Sequence, residues 1–286
     1  GRRSIKEISM STFYNSERLK YNQMNYNNDV ELDNFCSQCL LVINAVGPSF
    51  KINDKIALHA LRNNCHYIDI GGYGILRDLL KPYEKSIEAQ KLCFIIGVGW
   101  MPGISGVFSK TIIETHLNSP ENTNFNIYYG AVDNWSYSST YDLAASSMGK
   151  TRSYVYSHGK EIQVSPFRYT HHKFFPFIGH KKICMPSFDE QLTQLATSLK
   201  QIRKISTFIM LNDYISMGKF MFIKIFYKHN LNKATLMLQD DYQRLVKKEN
   251  KWGSVICQVS KIEPERKIDT FYYLYTCLLY TSDAAD

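Results

Sequence analysis

Three short segments in the first 110 residues carry side chains that could line a ligand. They are Asn44-Ala45-Val46-Gly47-Pro48, Asp69-Ile70-Gly71-Gly72 and Gly97-Val98-Gly99-Trp100-Met101-Pro102-Gly103. Glycine lets a backbone approach a neighbour closely. Proline stops a strand ladder. Small residues at three successive tips could pave the floor of a crevice for a flat ligand, and Asp69 would set a carboxylate beside it. The same glycines also read as plain turn residues. Asp69 is the one catalytic candidate that this pattern offers.

Other clusters carry less. Cys36-Ser37-Gln38-Cys39 has C-x-x-C spacing, but no second ligand pair follows at the distance a zinc site uses. A redox pair would follow a strand, and this one precedes one. These cysteines read as half-buried residues at a helix end. His171, His172 and His180 lie in an aromatic, basic stretch, Phe167–Lys182, without acidic partners nearby, so a loop is favoured over a metal site. Tyr137–Ser147 is rich in hydroxyls and includes Asp142. It reads as a solvated loop that could also contact a polar substrate. His66 reads as packed.

The tips need elements to hold them. Glu31–Ser37 is a short helix, and Leu40–Val46 is an apolar run that reads as a strand buried on both faces of a parallel sheet. Asn53–Asn63 reads as a helix and His66–Ile70 as a second strand. Leu76–Gln90 is helical with an interruption at Pro82, and Leu92–Val98 is a third strand. Strands separated by helices and closed by glycines predict a doubly wound α/β domain over residues 1–110, with its strand ends on one edge. The remainder, 111–277, reads as α+β. Phe125–Ala131 and Thr151–Val155 are strands, and Ser157–Lys160 is a hairpin turn into Glu161–Val164. Gln191–Lys200 is a polar helix or loop. Ile202–Tyr227 reads as one long buried helix broken near Gly218. Gly253–Val259 and Phe271–Tyr275 are late strands.

Composition bounds the rest. In 286 residues, 44% hydrophobic content is enough for real cores. The net charge of +8 suits anionic partners, yet the basic residues are scattered, with no run of five. Nucleic acid and membrane are therefore not the expected partners. The seven cysteines, odd in number and irregular in spacing, point to a reducing compartment, hence a cytoplasmic protein.

Taken in order, Asn44–Pro48, then Ala60–Gly72 with its C-x-Y-x-D core Cys65-His66-Tyr67-Ile68-Asp69, then Gly97–Gly103 resembles the cofactor domain of saccharopine dehydrogenase-like proteins. The resemblance covers residues 1–108 and is thin beyond. It implies an incomplete Rossmann-type, doubly wound parallel sheet followed by an α+β substrate or dimerisation domain. It implies NADP, or NAD, as cofactor and a small, amino-acid-derived substrate, with hydride transfer at a C–N bond. A homodimer is compatible with it. Backbone contacts to the cofactor would come from Asn44, Ala45, Val46, Gly47, Pro48, Gly71, Gly72, Gly99, Pro102 and Gly103. Asp69 would orient the nicotinamide side or the substrate amine. Gly1-Arg2-Arg3 resembles the end of the strand after the glycine-rich fingerprint. Arg2 and Arg3 would then face a ribose 2′-phosphate, and the pyrophosphate turn would precede Gly1. The last residues, 278–286, read as a non-native tail. Tyr73 and Met101 depart from the family pattern, which leaves open a non-catalytic, cofactor-binding or dimerising protein of the same fold.

Overall fold

The computed structural model describes residues 17–71, 74–117, 120–148, 153–187, 190–262 and 266–276. Arg2, Arg3, Gly72, Tyr73 and the tail 278–286 lie outside the described residues. The chain divides into two compact units, the first running to Val98 and the second starting at Gly99. The boundary expected near residue 110 falls instead inside a helix, Ile104–His116, that belongs to the second unit.

The first unit is an α/β unit. Its elements are α1 (Asp29–Cys36), β1 (Leu41–Asn44), α2 (Ser49–Ile52), α3 (Lys55–Arg62), β2 (His66–Asp69), α4 (Gly74–Leu80), α5 (Glu84–Ala89) and β3 (Phe94–Ile96). Asn28 starts α1 by accepting hydrogen bonds from the Val30 and Glu31 amides, which supplies two donors that a helix start leaves unpaired. Pro82 does interrupt the third helical stretch, as a 3₁₀ turn at Lys81–Tyr83 between α4 and α5. The strands lie in chain order β1-β2-β3, all parallel. In register, Asn44 sits beside Asp69 and Asp69 beside Ile96.

Side chains alternate across this sheet, as strand geometry requires. Val42 and Tyr67 face a core with Leu32, Ile56, Ala60 and Leu76 from the helices. Ile43 is 61% exposed, and Leu41 and Ile95 are also exposed. The expectation that β1 is buried on both faces is therefore corrected. The described helices pack on one face only, and the apolar run alternates between core and solvent.

The second unit centres on an eight-stranded mixed sheet. Its strands are β4 (Thr123–Val132), β5 (Ser153–Ser157), β6 (Lys160–Val164), β7 (His171–Phe175), β8 (His180–Pro186), β9 (Lys204–Leu211), β10 (Trp252–Ile262) and β11 (Lys267–Thr276). The order is β11-β10-β4-β9-β5-β6, and β8 also joins β9 and carries β7. β4 runs parallel to β9 and antiparallel to β10. Its helices are α6 (Ile104–His116), α7 (Tyr137–Met148), α8 (Pro166–Tyr169), α9 (Glu190–Ser198), α10 (Tyr214–Phe226) and α11 (Leu231–Val246). One sheet face packs Phe125, Ile127 and Val255 against Ile112, Leu192 and Phe220 of the helices. The other gathers Tyr128, Phe208, Trp252 and Ile256 with Phe175 of β7. All three tryptophans, Trp100, Trp135 and Trp252, lie in this unit, and Trp135 stacks on Tyr242 at 4.6 Å.

Several local readings change here. The stretch Ile202–Tyr227 is not one helix: Lys204–Leu211 is a central strand, and a helix begins only at Tyr214. β-branched residues favour the strand, and Asp213 starts the helix by accepting from the Ser216 amide at 2.8 Å. The helix passes through Gly218 unbroken. Arg244 grips Asp213 with contacts of 2.7 and 3.0 Å. Burial would raise the Asp213 pKa, but Arg244 and Ser216 outweigh it and hold the carboxyl well below the usual carboxylate range. The hydroxyl-rich stretch is helix α7 rather than a loop, with Thr140, Leu143 and Ala144 buried. The aromatic, basic stretch is the β7–β8 hairpin rather than a loop.

Candidate functional site

The expected site residues of the first unit meet at the carboxyl ends of β1 and β2. Open parallel sheets present this edge to ligands. Asn44 is 5% and Asp69 2% exposed. The Asn44 amide Nδ2 donates to Asp69 Oδ2 at 2.7 Å and to Tyr67 Oη at 3.1 Å. The Tyr67 hydroxyl donates to the same carboxylate oxygen at 2.5 Å. Asn44 Oδ1 turns back to accept the Val46 amide at 3.0 Å, which shapes the turn at Ala45–Pro48. Burial and the Asp69 charge push the Tyr67 phenol far above its ordinary value, so it stays a proton donor to Asp69.

This network changes the role of Asp69. Its carboxylate accepts two donors inside the fold. It braces the ends of β1 and β2 and positions the loops that follow them. Tyr67 and Asp69 lie two apart on one strand, so their side chains share a face. That spacing was a signal in the sequence, and the register with Asn44 completes it.

The neighbouring loop is built just as tightly. A side-chain carbon on Gly71 would lie 1.9 Å from Ser49 Oγ. Glycine at this position therefore admits Ser49 of the short helix α2. Behind the tips, a narrow recess is lined by Asn44, Ser49, Asn53 and Asp69 over the apolar Ile52 and Leu76. The Asn53 carbonyl oxygen Oδ1 is buried there without a protein partner. The recess has room for roughly one water molecule and not for a sugar or a nicotinamide ring. The outer side of the turns is open. There Val46 is exposed, and Ala45, Gly47 and Gly71 are half-buried.

Gly99, Pro102 and Gly103 form a separate tight loop at the start of the second unit. Gly99 and Gly103 bridge each other, and Gly103 holds φ 129°, a conformation glycine alone adopts readily. The Gly103 amide donates to Gln191 Oε1 of α9 at 2.8 Å. A side chain on Gly106 would collide with the same Gln191 group at 2.3 Å. The loop is therefore braced by a residue 88 positions away that no local pattern marks. Met101 packs against the helical core of its unit.

The remaining candidates resolve plainly. Cys65 Sγ donates to the carbonyls of Cys36 and Cys39, each at 3.1 Å. Burial raises the Cys36 thiol to about 12, so it stays protonated. His66 Nδ1 accepts the Cys93 amide at 2.9 Å. His171 and His172 lie on β7 and His180 on β8, and no group of three or more metal-ligating side chains occurs among the described residues. No helix among the described residues is long and apolar enough to cross a membrane.

No protein-family model matches the sequence, and no curated protein matches it. Among solved structures, the chain is similar to a crystal structure of a dehydrogenase (MviM) from Clostridium difficile. The two are 7% identical with a TM-score of 0.33, over 84% of this chain and 65% of that one. The chain thus spans about 65% of that protein's length, and a likeness this faint carries no argument about function.

Proposed function

We propose that the protein is an NAD(P)-dependent oxidoreductase of the saccharopine dehydrogenase-like class. It would act on a C–N bond of a small, amino-acid-derived substrate. One observation supports this above the others: β1, β2 and β3 lie parallel and in chain order, with Asn44 and Asp69 in register at their carboxyl ends. That is the arrangement of one mononucleotide-binding half of a doubly wound sheet. On this reading the turn Ala45–Gly47 offers its backbone to the dinucleotide, and Asn44 and Asp69 hold that turn in place. When bound, the nicotinamide supplies the hydride chemistry. The sequence contains no G-x-G-x-x-G run, so the pyrophosphate would be held by residues preceding Gly1. NADP is favoured over NAD through Arg2 and Arg3.

A second reading, a dinucleotide-binding protein without catalysis, also has support. Asp69 is the one titratable side chain in the tips Asn44–Pro48, Asp69–Gly72 and Gly97–Gly103, and its carboxylate is committed inside the fold. Fluorescence titration with NADPH and NADH, followed by an imine-reduction assay, separates the two readings. The experiment uses the chain preceded by its natural upstream sequence. Binding with turnover on an amino-acid-derived imine supports the enzyme. Tight binding without turnover supports the second reading. Absence of binding to either nucleotide defeats both. The chain as given is expected to bind NADPH weakly, and a micromolar dissociation constant for it would refute the place assigned to the pyrophosphate turn.

A further inference from the structure

The β7–β8 hairpin sets two lysines opposite each other in unlike surroundings. Lys173 of β7 and Lys182 of β8 are register partners, so their side chains leave the same face of the hairpin. Lys182 donates to Asn212 Oδ1 at 2.5 Å and to the Glu249 carboxylate at 3.0 Å, beside the Trp252 ring. Lys173 reaches no carboxylate among the described residues. Its Nζ donates to the amide oxygen Gln258 Oε1 at 2.8 Å, and lies 5.3 and 5.0 Å from the ring centroids of Tyr128 and Phe271. Gln258 is buried and fixed in place. Its Oε1 also accepts the Tyr128 hydroxyl at 3.1 Å, and its Nε2 donates to Ser260 Oγ at 3.1 Å. An ammonium carries three N–H donors, whereas a protonated imine on the same nitrogen carries one. A single fixed acceptor between two ring faces therefore suits the imine cation better, and the rings attract either cation.

We infer that Lys173 is a covalent attachment site for a small aldehyde, which it holds as an imine. The amine lone pair attacks the carbonyl carbon, and the carbonyl oxygen takes up a proton. The resulting carbinolamine expels that oxygen as water, the two amine hydrogens leave with it, and a C=N bond remains. No oxidant or reductant is consumed. The attacking species is the neutral amine, which a desolvated lysine supplies more readily than an exposed one. Burial lowers the Lys173 pKa. Asp269 of β11 pulls the other way, but Lys267 bonds that carboxylate at 3.2 Å and itself favours the neutral amine. Cys184 of β8 and Tyr128 of β4 are kept protonated, and so uncharged, by burial. Lys182 is paired with Glu249, and His171 of the same strand packs edge-on against the Tyr128 and Phe208 rings. Lys173 is half-buried, and His172 and Phe174 on either side of it are exposed, so the strand is reached from solvent. None of this depends on the dinucleotide edge of the first unit.

The test is imine trapping on the full chain. Propionaldehyde is added at pH 7, borohydride reduces any imine to a stable secondary amine, and peptide masses locate the modified lysines over time. Lys173 should be modified about fivefold or more faster than the exposed Lys85 and Lys228, and its rate should level off at a lower pH than theirs. Urea should abolish the difference, because the unfolded chain removes the desolvation. Gln258→Glu places a carboxylate against the amine and should suppress the modification of Lys173 while leaving Lys85 and Lys228 as before. Asp269→Asn, at an exposed position, removes the opposing charge and should speed it. The inference is overturned if Lys173 in the parent reacts no faster than the exposed lysines, or shares their pH profile. It is overturned equally if Lys224, whose pKa burial also lowers, is the lysine that reacts first. A folded Gln258→Glu chain, checked by circular dichroism, that traps aldehyde at Lys173 as fast as the parent would also overturn it. Should that variant not fold, the parent's rates and the Asp269→Asn chain decide the matter, and a rate unchanged by Asp269→Asn counts against the inference.

Discussion

The first unit's sheet is short, all parallel, and packed by helices on one face, with Leu41, Ile43 and Ile95 exposed on the other. The second unit's sheet is eight-stranded and mixed, with a packed core on each face. Their buried polar groups differ accordingly. The first unit holds one carboxylate with neutral donors, Asn44 and Tyr67, at the sheet's end. The second buries the cation of an ion pair whose carboxylate is half-buried. Lys182, 2% exposed, reaches Glu249 at 3.0 Å and lies 4.8 Å from the Trp252 ring centroid. Parallel sheets are ordinarily covered on both faces. The first unit thus sets a buried anion among neutral donors at its strand ends, whereas the second sets a buried cation beside a half-buried carboxylate.

Three substitutions would break or sharpen this contrast. The largest effect is expected at Glu249→Ala, which leaves the Lys182 ammonium buried without its carboxylate, with Asn212 Oδ1 still accepting from it. It should cost about 3–5 kcal/mol of stability by denaturant unfolding. Burial already lowers the Lys182 pKa against the opposing pull of Glu249. Without Glu249 the neutral amine is favoured further, so the variant's deficit should shrink as pH rises through the folded pKa and be largest below it. A deficit that stays flat with pH would mean the ammonium finds water instead. A middle effect is expected at Asp69→Ala, which leaves one Asn44 N–H and the Tyr67 hydroxyl without their acceptor. A loss of about 2–3 kcal/mol is expected for the first unit, with the second unit's unfolding unchanged. Equal losses in both units would erase the contrast. The smallest is Ile43→Lys, on the exposed face. It should move stability by no more than about 0.5 kcal/mol and raise solubility. A loss several times larger would show that this face is covered in solution.

The sequence made the first unit's order of strands and helices readable, because glycine tips and a proline break punctuate it. Its one-sided burial was not readable. Leu41–Asn44 is too short and too uniformly apolar for its alternation to show, and only the packing of α1, α3 and α4 decides which face is covered. Ile205–Leu211 was misread for a related reason: a buried strand and a buried helix share the same apolar run. Tyr137–Met148 hid its helix behind serines and threonines, which weigh toward loops until Leu143 and Ala144 find a core. At the candidate site, the residue types were legible and the role of Asp69 was only half so. Tyr67 two positions before it gave the near partner. Asn44, 25 positions away, and Gln191 bracing Gly103 across 88 positions are products of tertiary folding alone.

The placement of the three tryptophans governs how the molecule can be watched. All of them belong to the second unit, so indole emission excited at long wavelength reports that unit alone. The first unit, which carries the tips after β1 and β2, would melt in silence under such a probe. A single smooth emission curve would therefore not establish that the two units unfold together. Following the first unit needs a different signal. The thiols of Cys36 and Cys65, both buried, would become reactive only when its core opens.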